Sequence, residues 1–169
     1  MLTNNFVSVF KNLITQYNPV GGGCYKLYNG STSTDVYNIV SEITNLNNLY
    51  AVKGAPQEGI HGICLLIGSG TTEPSHEDYK LVNEITNYEV LSQSIIRNNN
   101  KNDSEFLDIT RIIRNNTAQD ITVSEIGVCI KTMQNYACAS VLIAREVLES
   151  PVIVKPGEKH SFTMSLCVA

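Results

Sequence analysis

From Ser161 to Val168 apolar and polar residues alternate strictly. Phe162, Met164, Leu166 and Val168 fall on one side of an extended chain, and Ser161, Thr163, Ser165 and Cys167 on the other. This period-two pattern fits a strand with one face in a core, and related patterns recur upstream. Cys24–Tyr28 and Ser31–Val40 flank Asn29-Gly30, a strong hairpin signal. Ile60–Ile67 is a continuous apolar run that reads as a central strand buried on both faces. Tyr79–Val82, Val90–Ile96, Phe106–Ile113 and Ile121–Ile130 follow, and Ala139–Leu148 reads as two short strands despite its helical propensity. Within Ile121–Ile130 the apolar phase slips between Val123 and Ile126, which predicts a β-bulge near Ser124-Glu125. Turn signals separate the segments: Asn98–Ser104, Asn115-Asn116 and Pro156-Gly157-Glu158-Lys159.

About nine short strands at spacings of about 8–12 residues predict a mainly β protein, an antiparallel β-sandwich of jelly-roll-like kind. No βαβ alternation is present. Composition agrees: Ile, Val and Thr make up 45 of the 169 residues, and the 18 Asn supply turn formers. Twelve Lys and Arg against 16 Asp and Glu leave a formal charge of −4, which argues against a nucleic-acid surface.

The beginning of the chain differs. Phe6, Val9, Phe10, Leu13, Ile14 and Tyr17 lie on one face of a predicted amphipathic helix that ends at Asn18-Pro19. A helix this short is marginal alone, so its apolar stripe must dock on its own domain or on a neighbouring subunit. The reading divides the chain into a helical arm (1–18), a variable hairpin region (19–59) with helix or strand open at 36–50, and a β-sandwich core (60–169). Met1–Tyr17 is interrupted by Asn4, Asn5, Lys11 and Asn12 and does not read as a targeting signal. No stretch approaches the roughly 20 apolar residues of a membrane span, so no membrane partner is expected. The five cysteines, Cys24, Cys64, Cys129, Cys138 and Cys167, lack metal spacing and read as buried, reduced thiols.

No catalytic constellation emerges. Gly68-Ser-Gly-Thr-Thr72 lacks the Gly-Lys-[Ser/Thr] ending of a phosphate loop. Glu73, His76, Glu77 and Asp78 crowd potential metal ligands together without the H-E-x-x-H spacing, and Ser75 with Asp78 reads as a capping turn. No strained nucleophile turn exists. Neither an enzyme nor a cofactor or resident metal is expected. Arg111, Arg114 and Arg145 interrupt apolar strands and call for a carboxylate partner, for which Glu125 is the natural candidate.

The run I-C-L-L-I-G-S-G-T-T-E-P-S-H-E-D-Y-K-L from Ile63 to Leu81 resembles a signature of small structural proteins in the virions of tailed bacteriophages, especially those of gut bacteria. The likeness extends through Ile112–Asn115, Ile121–Gly127, Leu142–Leu148, Pro151-Val152 and Pro156-Gly157-Glu158, covering roughly residues 60–168. It implies a non-enzymatic β-sandwich subunit of a head fibre, collar or tail part, partnered by copies of itself and by capsid, portal or tail proteins. It also implies location in the virion after assembly in the host cytoplasm. Residues 1–59 have no counterpart in the likeness and would decide docking. A receptor- or carbohydrate-binding module is the competing expectation, weakened by the absence of Trp although the chain has eight Tyr.

Overall fold

The structure, a computed structural model, describes residues 1–6, 25–33, 62–99, 105–134 and 137–168. It is mainly β. Two short strands, β1 (Tyr25–Lys26) and β2 (Thr32–Ser33), form a hairpin. The others are β3 (Gly62–Gly68), β4 (Glu89–Asn99), β5 (Glu105–Arg114), β6 (Ile121–Gln134), β7 (Ala137–Val154) and β8 (Lys159–Val168). They build two antiparallel three-stranded sheets, in the orders β3-β6-β7 and β4-β5-β8.

Both sheets contribute to one core, where Leu65, Ile67, Val123, Val128 and Val141 of the first meet Ile109, Ile113, Phe162 and Met164 of the second. The alternation in β8 is the one expected: Phe162 and Met164 are buried while Ser161, Thr163 and Ser165 are exposed. A second, smaller core lies on the other face of the first sheet, where Cys64, Leu66, Cys129 and Leu142 pack against Leu81, with Tyr28 of the hairpin at its margin. This double burial is the physical reason for the unbroken apolar run in β3. Cys64 and Cys129 face each other in the β3–β6 register as buried thiols; the Cys24, Cys138 and Cys167 side chains lie outside the description.

A register shift falls where the bulge was expected, between Val123 and Glu125, but the extra residues lie on β7 and not on β6. On the opposite strand Val147 to Val152 spans the same two steps, and this excess accommodates Pro151, which cannot donate to a ladder. Asn115 organises the following turn, its Nδ2 donating to the carbonyls of Gln119 and Val154 at 2.7 and 2.8 Å. At the hairpin, Gly30 takes φ 87°, its N–H donating to Leu27 C=O at 2.8 Å, a left-handed position that favours glycine.

Three expectations change. Residues 139–148 belong to the single 18-residue strand β7, because β6 pairs with it throughout and bulges absorb the irregular stretches. The Ile60–Ile67 segment, described from Gly62, lies at the edge of its sheet rather than its centre. Its outer edge is covered by side-chain and loop groups: Gln93 of β4 accepts from Leu65 N–H (3.1 Å) and donates to Ile63 C=O (2.7 Å), and Ile85 N–H donates to Ile67 C=O (3.0 Å). Tyr79–Val82 is no strand, because the N–H of Val82 donates to a side-chain carboxylate instead of a neighbouring strand. Of the arm, only the helical turn at 4–6 is described; Val9, Phe10, Leu13, Ile14 and Tyr17, and the open assignment at 36–50, lie outside the described residues. Among the described residues no helix is long and apolar enough to cross a membrane.

Candidate functional site

Just past the β6–β7 register shift, Glu125 reaches the loops that follow β3. Its carboxylate is completely buried and accepts four hydrogen bonds. Oε1 takes the N–H groups of Gly70 (3.0 Å) and Asn83 (2.8 Å), and Oε2 takes Val82 N–H (3.2 Å) and Arg145 Nε (2.7 Å). Arg145, on β7 and also completely buried, uses the rest of its guanidinium on the same loops. Nη1 reaches Asp78 at 2.9 Å and Nη2 reaches Thr72 C=O at 2.8 Å. The pair thus clasps residues 70–72 and 78–83 onto the outer face of the first sheet.

The glycines beside the clasp make room for it. A Cβ at Gly68 or Gly70 would stand 2.5 Å from Glu125 Oε1, and one at Gly127 would meet Leu81 Cδ2 at 2.7 Å. Gly68, Gly70, Asp78, Leu81, Glu125, Gly127 and Arg145 lie far apart in the sequence, and here they form one structural unit. Both charged side chains are enclosed, and the bonds named above tie the loops to the sheet.

Burial by itself would raise the Glu125 pKa. The N–H of Asn83, the Arg145 guanidinium and the N–H of Val82 outweigh it and hold the carboxyl below its ordinary value. For Arg145, burial opposes the charge, and the bonds to Glu125 and Asp78 more than restore it. A carboxyl depressed by folding stabilises the fold above its unfolded pKa of about 4.3 and loses that contribution as pH falls through the folded value. Urea midpoints should therefore decline below about pH 5. The decline should be shallower in Glu125→Gln, and an identical acid slope in the two proteins would contradict the assignment.

The crowded ligands of the 73–78 loop serve local structure. Asp78 Oδ2 accepts Ser75 N–H at 2.8 Å, the expected capping turn, besides holding Arg145. His76 Nδ1 donates to Leu2 C=O at 2.9 Å, and Glu77 accepts from Asn4 Nδ2 at 2.7 Å. The carboxylate expected for the interrupting arginines is Glu125 for Arg145 alone. Arg114 makes an exposed pair with Glu89 at 3.1 Å. Arg111, buried, donates from Nε to Gln93 Oε1 at 2.9 Å and from Nη1 to Tyr88 Oη at 3.3 Å. Burial raises the Tyr88 pKa against the opposing Arg111 charge. Arg111 was legible as needing a partner, but Gln93 and Tyr88, neither of them a carboxylate, were not read from the sequence as that partner.

Residues 1–6 are fastened to the same chain. Thr3 N–H donates to Ile143 C=O and Arg145 N–H to Met1 C=O, both at 3.0 Å, so this segment pairs with the outer edge of β7. Thr3 Oγ1 adds a bond to Leu142 C=O at 2.8 Å. The Asn5 amide brackets the Lys26 backbone with two bonds of 2.8 Å, holding the hairpin. Phe6, the one described member of the expected docking stripe, packs half-buried against the main core. Tyr79, half-buried, carries Lys26 Nζ 4.0 Å above its ring.

Compared with protein-family models, with curated proteins and with solved structures, the chain matches none.

Proposed function

We propose that the chain is a non-enzymatic structural subunit of a tailed-bacteriophage virion, a jelly-roll-like β-sandwich that assembles as an oligomer at the head, in a fibre or collar, or at the tail. The observation that supports this reading most is the convergence of the signature residues. Gly68, Gly70, Asp78, Leu81, Glu125 and Arg145 meet in an enclosed clasp whose polar atoms serve one another. A motif spent on internal support suits a scaffold, since a catalytic motif must expose its groups to substrate. Low charge and the hydroxyl-rich outer side of β8 suit contact with other protein surfaces. Because residues 1–6 are engaged by their own chain, docking in this reading falls to Val9, Phe10, Leu13, Ile14 and Tyr17.

The test is peptide mass spectrometry of purified particles followed by electron microscopy. The expected result is the chain present in many copies at one location of the head or tail. Its absence from particles, with the protein left in the host lysate, would overturn the proposal.

A further inference from the structure

Register sets Arg111 in the middle strand of the second sheet, in a row with Gln93 on one side and Phe162 on the other, on the face that meets the core. It is 3% exposed. A guanidinium carries five N–H donors and a permanent charge, and a buried one ordinarily has a carboxylate beside it. Arg111 has none: among the described residues the ion pairs are those of Arg114 and Arg145. Its two bonds go to neutral oxygens, Gln93 Oε1 from Nε and Tyr88 Oη from Nη1. Gln93 cannot turn further toward it, because the same Oε1 accepts Leu65 N–H and its Nε2 donates to Ile63 C=O. The other three guanidinium N–H groups have no acceptor among the described residues. Tyr88 is in the same position, since its oxygen accepts from Arg111 while its own O–H has no acceptor there. Glu84, whose charge is felt at Tyr88, bonds neither of them.

We infer that Arg111 and Tyr88 together bind a small monovalent anion of chloride size. Buried polar groups in native proteins are almost always bonded, and neighbouring donors left without a protein acceptor mark the place of a water or an ion. Charge selects the ion. Water would satisfy the hydrogens yet leave the cation uncompensated in the interior, whereas an anion does both. Depth selects its size: Arg111 is almost fully enclosed and Tyr88 half-buried, so a large, strongly hydrated anion would be costly to bring in. The phenol keeps its proton for donation, since burial holds the Tyr88 pKa above its ordinary value against the Arg111 charge. Held there, the ion ties β5 to the residue just ahead of β4, beside the Gln93 amide that closes the β3 edge. The site does not depend on the virion reading.

Urea unfolding of the full chain, with sodium gluconate exchanged for sodium chloride at constant ionic strength, tests this. Above the dissociation constant, each tenfold rise in chloride should raise the folded-to-unfolded ratio about tenfold. Gluconate, too bulky for the site, keeps the screening of surface charges the same. Tyr88→Phe retains the ring and removes the O–H, and should need more chloride for the same stabilisation. Arg111→Met should lose the dependence, whereas Arg114→Gln, at an exposed arginine, should keep it. Should Arg111→Met not fold, chlorine NMR decides on the other two: the line broadening caused by the wild-type chain should persist with Arg114→Gln and fall with Tyr88→Phe. A midpoint indifferent to chloride would assign these donors to water and overturn the inference. A chloride response that Tyr88→Phe and Arg111→Met both retain unchanged would overturn it as well.

Discussion

Replacing Glu125 with glutamine is expected to destabilise the protein by about 3–5 kcal/mol, a large share of the roughly 5–15 kcal/mol that holds an ordinary domain folded. The change preserves shape but strands the Arg145 charge in a site with no solvent. It also turns one oxygen into an NH2 group that must face backbone donors of Gly70, Val82 or Asn83. Arg145→Met should cost a similar amount, because it leaves Glu125 charged and buried. In some proteins, exchanging a whole buried ion pair for apolar residues is harmless. Here Glu125→Leu/Arg145→Met should remain destabilised, since three backbone N–H groups and Thr72 C=O would lose their partners, at about 1–3 kcal/mol for each group left buried. Equilibrium urea unfolding of the two single variants and the double variant decides this. Recovery of wild-type stability in the double variant would show that the loop does not depend on the carboxylate.

Gly68→Ala is expected to cost about 3 kcal/mol, at the upper end for overpacking. Its new methyl would lie 2.5 Å from Glu125 Oε1 and 2.7 Å from the backbone carbonyl of Asn83, neither of which can retreat without opening the clasp. Gly127→Ala should cost less, because the nearest obstacles are the ends of the Leu81 and Leu142 side chains at 2.7 and 2.9 Å. Gly157→Ala meets nothing within 4 Å, yet its φ of 79° should still cost about 1–2 kcal/mol. Thermal melts of the three variants should rank them in that order of severity for Gly68 and Gly127. A Gly68→Ala protein as stable as wild type would mean that the loop has room the structure does not show.

Much of the sheet framework was legible where local pattern and tertiary demand coincide. The alternation in β8 survives because one of its faces meets the core and the other meets solvent. The register shift beside Ser124-Glu125 was visible because the apolar phase of β6 slips there, although the extra residues lie on β7, and the interrupting Arg145 announced a buried partner. The misreadings share a cause. Tyr79–Val82 has strand-forming side chains, but the Glu125 carboxylate, 43 residues on from Val82, takes a backbone donor that a ladder would have used. The apolar run of β3 told of burial on two faces and could not tell that Gln93 would stand in for a neighbouring strand. Thr3 and Asn5 look like surface residues, and only the distant edge of β7 and the hairpin at Lys26 make them buried clips.

The fastening of residues 1–3 to β7 also sets an order of events during synthesis. Thr3 and its acceptor Leu142 are separated by 139 residues, so a segment made early must wait for a strand made much later. Closing a loop of that size costs about 4 kcal/mol beyond a constant, a term repaid only once β7 is already in place beside β6. The segment is therefore a finishing stitch in folding. Until it is sewn in, a nascent chain carries an uncovered β7 edge next to the same neighbours with which it is being made, and crowded synthesis is the moment at which mispairing threatens it most.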